Sequence, residues 1–209
     1  LVSINEYQKL TESLLDGKFY LEESPSKELS KMNNPYNPYE RENIFEDSDS
    51  YYLWDVAYYN NNYYVYFGIT PVITTYMPYY LLTGNHIDNN IVNLIAIVIT
   101  IISFVFLVKF IMERYFNNKN TGILILLSSF GLLSNHFMIL YASRRPDFYT
   151  IPIMYGIMFS LIGLNLWLRS QNKDGKLNKK LLLLGSTCMA LVSGCRPQLL
   201  LISFSSIII

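Results

Sequence analysis

The chain has 209 residues, 51% of them hydrophobic, with 16 Lys/Arg balancing 16 Asp/Glu. That balance hides a split: residues 1–90 hold 13 acids against 5 bases, and residues 91–209 hold 3 acids against 11 bases. Such sorting argues against one soluble domain, and bases confined to short gaps between apolar runs argue against a nucleic-acid patch. The expected class is an all-α polytopic membrane protein, a transmembrane helix bundle over 91–209 preceded by a mixed, mostly helical external segment over 1–90.

Ser3-Ile4-Asn5-Glu6 opens the chain as a capping box, with Ser3 capping a helix and Glu6 reaching back. Ile4, Tyr7, Leu10, Leu14 and Leu15 follow at near-helical spacing and Gly17 supplies a stop, so a short amphipathic helix is expected along the membrane surface. Residues 24–50 are rich in Glu, Ser, Asn and Pro, with turns at Asn34-Pro35 and Asn37-Pro38, and read as an irregular loop. From Tyr51 to Phe67 the chain is dense in aromatics around Asn60-Asn61-Asn62, which reads as two short strands joined by a turn. Gly68 to Gly84 is apolar but holds Pro71 and Pro78, and reads as an interfacial or partly re-entrant helix.

Four apolar segments then fit the length of about 20 residues needed to cross a bilayer: 91–112, 122–142, 151–169 and 181–209, the last interrupted by Arg196-Pro197, where the helix should break. Lys109, Arg114 and Lys119 flank the first gap, and Arg169, Lys173, Lys176, Lys179 and Lys180 the third. The second gap has only Arg144 and Arg145, offset by Asp147. The positive-inside rule puts residues 1–90 and the 143–150 loop outside. The chain starts at Leu1 with no signal-peptide pattern and stops at Ile209 within an apolar run, so it is expected to be a piece of a longer protein.

Few residues offer chemistry. Ten of 18 tyrosines lie between Tyr51 and Tyr80, beside Trp54; they suit an aromatic belt at the lipid boundary or a platform for sugar rings. Among the acids, Glu6 can complete a cap, Asp16 ends a helix and Asp147 can neutralise Arg144 and Arg145. Asp55 sits in the apolar run Leu53-Trp54-Asp55-Val56, where desolvation would raise its pKa and suit it to proton abstraction. Arg196 is a cation within an apolar run, set either to snorkel to headgroups or to meet a phosphate or an acid. Asn135-His136 reads as an interhelical hydrogen-bonding pair. Cys188 and Cys195, seven apart on a helix, are about 10 Å apart and cannot bridge there; no metal site is read from the residues.

The order Glu6-Tyr7, Leu14-Leu15-Asp16-Gly17, Trp54-Asp55, Tyr58-Tyr59-Asn60, Tyr63-Tyr64, Phe67-Gly68, Pro71, Pro78 resembles the first external loop of bacterial GT-C type polytopic glycosyltransferases, the protein mannosyltransferase-like and aminoarabinose transferase-like enzymes. Arg144-Arg145-Pro146-Asp147-Phe148-Tyr149 resembles their second external loop, and Gly194-Cys195-Arg196-Pro197 falls in their fifth helix. The chain departs from the family where Asn5-Glu6 replaces the usual Asp-Glu, and where Asn61 and Asn62 replace Gly and Lys. The resemblance implies an inverting transfer of a sugar from a polyprenyl-phosphate donor to a glycan, lipid or protein acceptor at the outer face of the lipid bilayer. It implies Asp55 or Glu6 as base, with Asp147 assisting. Arg144, Arg145 and Arg196 would meet the phosphate, and Trp54, Tyr58 and Tyr64 the sugar. No cofactor is implied with certainty, and a divalent metal is compatible with the reaction. The competing expectation is a non-catalytic membrane protein such as a transporter or lipid flippase component, and a third is a catalytically dead relative.

Overall fold

A computed structural model describes residues 5–46, 53, 55–134, 136–171, 177–199 and 201. The described chain is mostly helical, with two compact units, residues 1–66 and 67–209. Residues 67–90, grouped by sequence with the external segment, belong to the second unit.

In the first unit, α1 (Glu6–Leu15) is capped by Asn5, whose side chain accepts from the Gln8 amide at 3.0 Å while the Gln8 side chain accepts from the Asn5 amide at 3.0 Å. A capping box is therefore formed by Asn5 and Gln8; Ser3, the cap expected from sequence, lies outside the described residues. Both pairs have the same spacing, and Asn caps as well as Ser. At the other end Gly17, at φ +75°, closes α1: its amide bonds to the Leu14 carbonyl at 3.1 Å and that of Lys18 to Ser13 at 2.8 Å. This double closure needs a left-handed residue, which glycine adopts without a Cβ penalty.

The stretch expected to be irregular contains two helices, α2 (Lys27–Lys31) and α3 (Pro38–Glu46). Ser26 caps the first, accepting from the Leu29 amide at 3.3 Å. At the second, Asn37 accepts from the amides of Tyr39 (3.1 Å) and Glu40 (3.4 Å) and donates to the Glu40 carboxylate at 2.8 Å. Asn-Pro thus marks a helix start: proline fits the first helical position because its missing N–H would be unsatisfied there anyway.

The expected hairpin is present as β1 (Ala57–Tyr59) and β2 (Asn62–Tyr64), antiparallel, with Tyr58 opposite Tyr63. Asn60 (φ 51°) and Asn61 (φ 62°) form its two-residue turn, the backbone that matches strand twist and that Asn tolerates. Leu21 bridges to the outer side of β2 through its amide and the Tyr63 carbonyl at 2.8 Å. Tyr7, Leu10, Leu21, Leu29, Leu53, Val56 and Tyr63 are the buried apolar interior of this unit.

The second unit opens with a helical run, a π-helical turn (Val72–Tyr76) passing directly into α4 (Met77–Thr83). Pro78 has no amide to give to a carbonyl four residues back, and the widened turn just before it absorbs that defect. Then come α5 (Asn89–Tyr115), α6 (Thr121–Ser134), α7 (His136–Arg144), α8 (Thr150–Ser170) and α9 (Lys179–Ser193). Of these, α5 and α8 are long and apolar enough to cross a membrane. The span expected over 122–142 is helical over both of its described stretches, α6 and α7; Asn135 lies outside the described residues, as does the side chain of His136. Within the stretch expected as a span over 181–209, α9 ends at Ser193. A short 3₁₀ turn, Pro197–Leu199, follows Arg196, so the break expected at Arg196-Pro197 is present; residues 202–209 lie outside the described residues.

Helix α8 is central, packed against α5 and α9. Its contact with α9 is close: a Cβ on Gly185 would lie 2.6 Å from the Trp167 ring and 3.1 Å from the Gly163 carbonyl. Side-chain amides tie the helices where apolar contact alone would leave rotation free. Asn165 of α8 donates to the Ser103 carbonyl of α5 at 2.9 Å, and Asn93 of α5 to the Ala142 carbonyl of α7 at 2.7 Å. Such bonds between apolar helices contribute about 0.6 kcal/mol on average, and small residues let the backbones approach.

Candidate functional site

A cluster of polar and aromatic groups in the second unit lies where α8 begins and α9 ends. Its floor is a backbone crossing. The Thr70 amide donates to the Gly194 carbonyl at 2.9 Å, and the Thr70 hydroxyl to the Leu191 carbonyl at 2.8 Å. Gly68 lies against the same turn, so close that a Cβ would come within 1.9 Å of the Cys195 carbonyl oxygen. Only glycine permits this approach, and it brings Phe67 beside Arg196.

Arg196 donates through Nη2 to the Tyr149 carbonyl at 3.0 Å, and its guanidinium carbon lies 5.3 Å from the Phe67 ring centroid. Phe67 in turn meets Tyr149 edge-on at 4.6 Å and Phe148 at 5.0 Å. The guanidinium is thus held by one carbonyl and an aromatic face, an arrangement that favours a cation by roughly 0.5–2 kcal/mol depending on its desolvation. Its Nε is buried with no hydrogen-bond partner among the described residues.

Asp147 stands two residues before Tyr149. Its Oδ1 accepts from the amides of Tyr149 (3.1 Å) and Thr150 (2.9 Å), and its own amide donates to the Thr150 hydroxyl at 3.2 Å. The carboxylate therefore caps the start of α8, which also draws it through the positive end of the helix dipole. The reading of Asp147 as a partner of Arg144 and Arg145 is replaced by this cap: both arginines are exposed, and the carboxylate faces backbone amides. Tyr149 is the link between the two functional candidates, its amide given to Asp147 and its carbonyl to Arg196.

In the first unit, Asp55 is exposed, in the turn leading into β1, whereas its neighbours Leu53 and Val56 are buried. The apolar run around it is real, but its two buried members point inward and Asp55 points out, so the expected desolvation is absent. Glu6 is half-buried in the first turn of α1, where the exposed amides favour a carboxylate.

Tyr58 and Tyr64 do not form one platform. Tyr58 shares a face of the hairpin with Tyr63 (rings 6.1 Å apart), whereas Tyr64 projects on the opposite face and meets Tyr20 edge-on at 6.2 Å. Alternation along a strand requires this. Trp54 lies outside the described residues.

Phe67, Thr70, Phe148 and Tyr149 hold the arginine in place; from sequence, Phe67, Phe148 and Tyr149 enter only as parts of the resemblance, and none of the four is given a role. The pairing of Gly68 with Gly194, two small residues where backbones cross, is the one signal that could have led to them. Among the described residues no three His, Cys, Asp or Glu side chains are grouped as metal ligands.

Comparison with known proteins finds no match, either to a family model, to a curated protein or to a solved structure.

Proposed function

We propose that the chain is part of a multi-pass membrane glycosyltransferase that takes a sugar from a polyprenyl-phosphate donor at the outer face of the cell membrane. The observation that carries this reading is Arg196: a guanidinium held against Phe67 and the Tyr149 carbonyl, with Nε unpartnered, at one end of a bundle containing two membrane-length helices. A planar guanidinium with donors to spare suits a phosphate oxygen, and it retains its charge in apolar surroundings.

Further support for a membrane setting comes from the outer faces of the helices, where Ile91, Leu94, Val98, Ile102 and Phe106 of α5, and Ile125, Leu126 and Phe130 of α6, are all exposed. Contiguous apolar surface on this scale is unusual for a protein in water. In this reading α5, α6 with α7, α8 and α9 cross the bilayer, and residues 1–90 lie outside. A carboxylate of the complete protein takes the proton of the acceptor hydroxyl. The hydroxyl oxygen attacks the anomeric carbon from the face opposite the phosphate, the bond to the phosphate oxygen breaks, and Arg196 stabilises the departing lipid phosphate. Asp147 contributes by fixing Tyr149, and through it Arg196.

The test is transfer of a labelled sugar from its polyprenyl phosphate by membranes containing the complete protein. Arg196→Gln is expected to lower transfer about 100-fold, the usual cost of removing one donor to a developing anion, with Arg196→Lys intermediate. Wild-type rates in Arg196→Gln would overturn the assignment of the phosphate site. A wild-type protein that binds and moves the lipid without transferring sugar would favour the transporter or flippase reading.

A further inference from the structure

The opposite end of the second unit, where α5 and α8 finish and α9 starts, has a cavity of about 540 Å³. Three cations line it: Arg114 from the last turn of α5, Lys119 from the loop that follows, and Arg169 from the last turn of α8. Glu113 is its one acid among the described residues. Helix ends account for part of this charge, because α5 and α8 both present carbonyl ends here and such ends attract cations. They do not account for all of it. Each carbonyl end carries about half a negative charge, and the amide end of α9 about half a positive one. After Glu113 is also counted, the described lining keeps between one and two positive charges.

The cavity does not end at its charged wall. Arg169 also lines a second recess of about 220 Å³ running along α5 and α8, whose other walls include Ser103, Phe106, Ile162 and Leu166. The guanidinium marks the junction: its carbon lies 5.1 Å from the Phe110 ring centroid and its Nη2 reaches the Phe106 carbonyl at 3.4 Å. Arg169 thus stands between a basic chamber and an apolar groove on the flank of two membrane-length helices. Free phosphate would use the chamber and leave the groove empty.

We propose that this composite site holds an anionic glycerophospholipid, its phosphodiester between Arg114, Lys119 and Arg169 and one acyl chain in the groove beside Phe106. The proposal rests on the membrane reading given above, and on no part of the transferase chemistry. The single negative charge of a phosphodiester matches the surplus in the chamber, and basic pockets between membrane helices are suited to such headgroups.

The experiment reconstitutes the full chain in phosphatidylcholine bilayers with increasing phosphatidylglycerol, then counts retained phosphatidylglycerol by native mass spectrometry. Retention in the wild type is expected to weaken about fivefold for each cation removed, so Arg169→Gln/Lys119→Gln should lose about 25-fold. Arg169→Lys should recover most of the single loss, and Lys27→Gln/Lys31→Gln, with the same change in net charge elsewhere, should retain lipid normally. Groove variant Ile162→Asn should weaken lipid retention and leave binding of glycerol 3-phosphate unchanged. The proposal is overturned if the double variant retains as much phosphatidylglycerol as the wild type, or if glycerol 3-phosphate binds as tightly as the lipid. Alkaline carbonate extraction separates the two readings: a chain stripped from membranes sinks the membrane reading itself, whereas a chain that stays without preferring anionic lipid sinks only this site.

Discussion

The two compact units answer the same demand, that buried polar backbone find partners, by different means. Residues 1–66 use side chains as local substitutes: Asn5, Ser26 and Asn37 close helix starts, and Gly17 closes a helix end. Their charges are spent at the surface, in pairs such as Lys9 with Glu23 and Lys18 with Glu22; the carboxylate of Glu22 raises the pKa of the Lys18 ammonium. Residues 67–209 close most of their hydrogen bonds inside long helices and spend glycine and asparagine on the contacts between them. Local caps need only a few neighbouring residues, whereas helix crossings need two distant segments to be small or polar at the same height.

That contrast can be broken at chosen points. Tyr63 is 2% exposed and joins α1, Leu21 and the hairpin into one interior, so Tyr63→Ala should cost about 3–5 kcal/mol. Hydrogen exchange should then quicken across residues 5–66, while α8 and α9 keep their protection; equal loosening of both units would refute the contrast. Gly68→Ala tests the other side. Its Cβ would meet the carbonyls of Gly194 and Cys195, and backbone cannot rotate away as a side chain can. A cost of about 1–3 kcal/mol is expected from such overpacking, with the loss of protection centred on residues 67–76 and 191–196. The smallest effect comes from pH. Burial pushes the Tyr63 phenol above its usual value of 10, partly countered by the Leu53 backbone. A raised pKa means that the folded chain holds its proton longer than the unfolded one. The stabilisation is therefore complete below pH 10 and fades as pH climbs through the raised value. Alkaline titration followed by tyrosinate absorbance should show a late step from Tyr63, and Tyr63→Phe should remove that step.

Where a structural feature is local, the residues already state it. Asn60-Asn61 specify the hairpin turn, Gly17 the end of α1, and Arg196-Pro197 the break after α9, because each acts on its own backbone. The start of α3 was hidden by ambiguity, since Asn37-Pro38 serves a turn and a helix cap equally well, and only the bonds from Tyr39 and Glu40 decide. Asp55 was misjudged for a related reason: an apolar run says how many side chains are buried but not which way the exception points. The surroundings of Arg196 were beyond local reading altogether. Phe67 and Arg196 are far apart in the chain, and what brings them together is a backbone crossing at Gly68 and Gly194 that no periodicity marks.

Tyr36 carries a consequence of a different kind. Its phenol oxygen accepts from the Tyr58 amide at 2.7 Å and donates to the Tyr58 carbonyl at 2.6 Å. One side-chain hydroxyl therefore occupies both backbone groups that β1 would otherwise offer outward, and on the far side of β2 the Tyr63 carbonyl is taken by the Leu21 amide. A two-stranded ribbon usually presents two open templates for another chain, and such templates seed aggregation. Here a single exposed tyrosine and a single leucine amide close them, so the hairpin cannot recruit a third strand without first giving up bonds it already has.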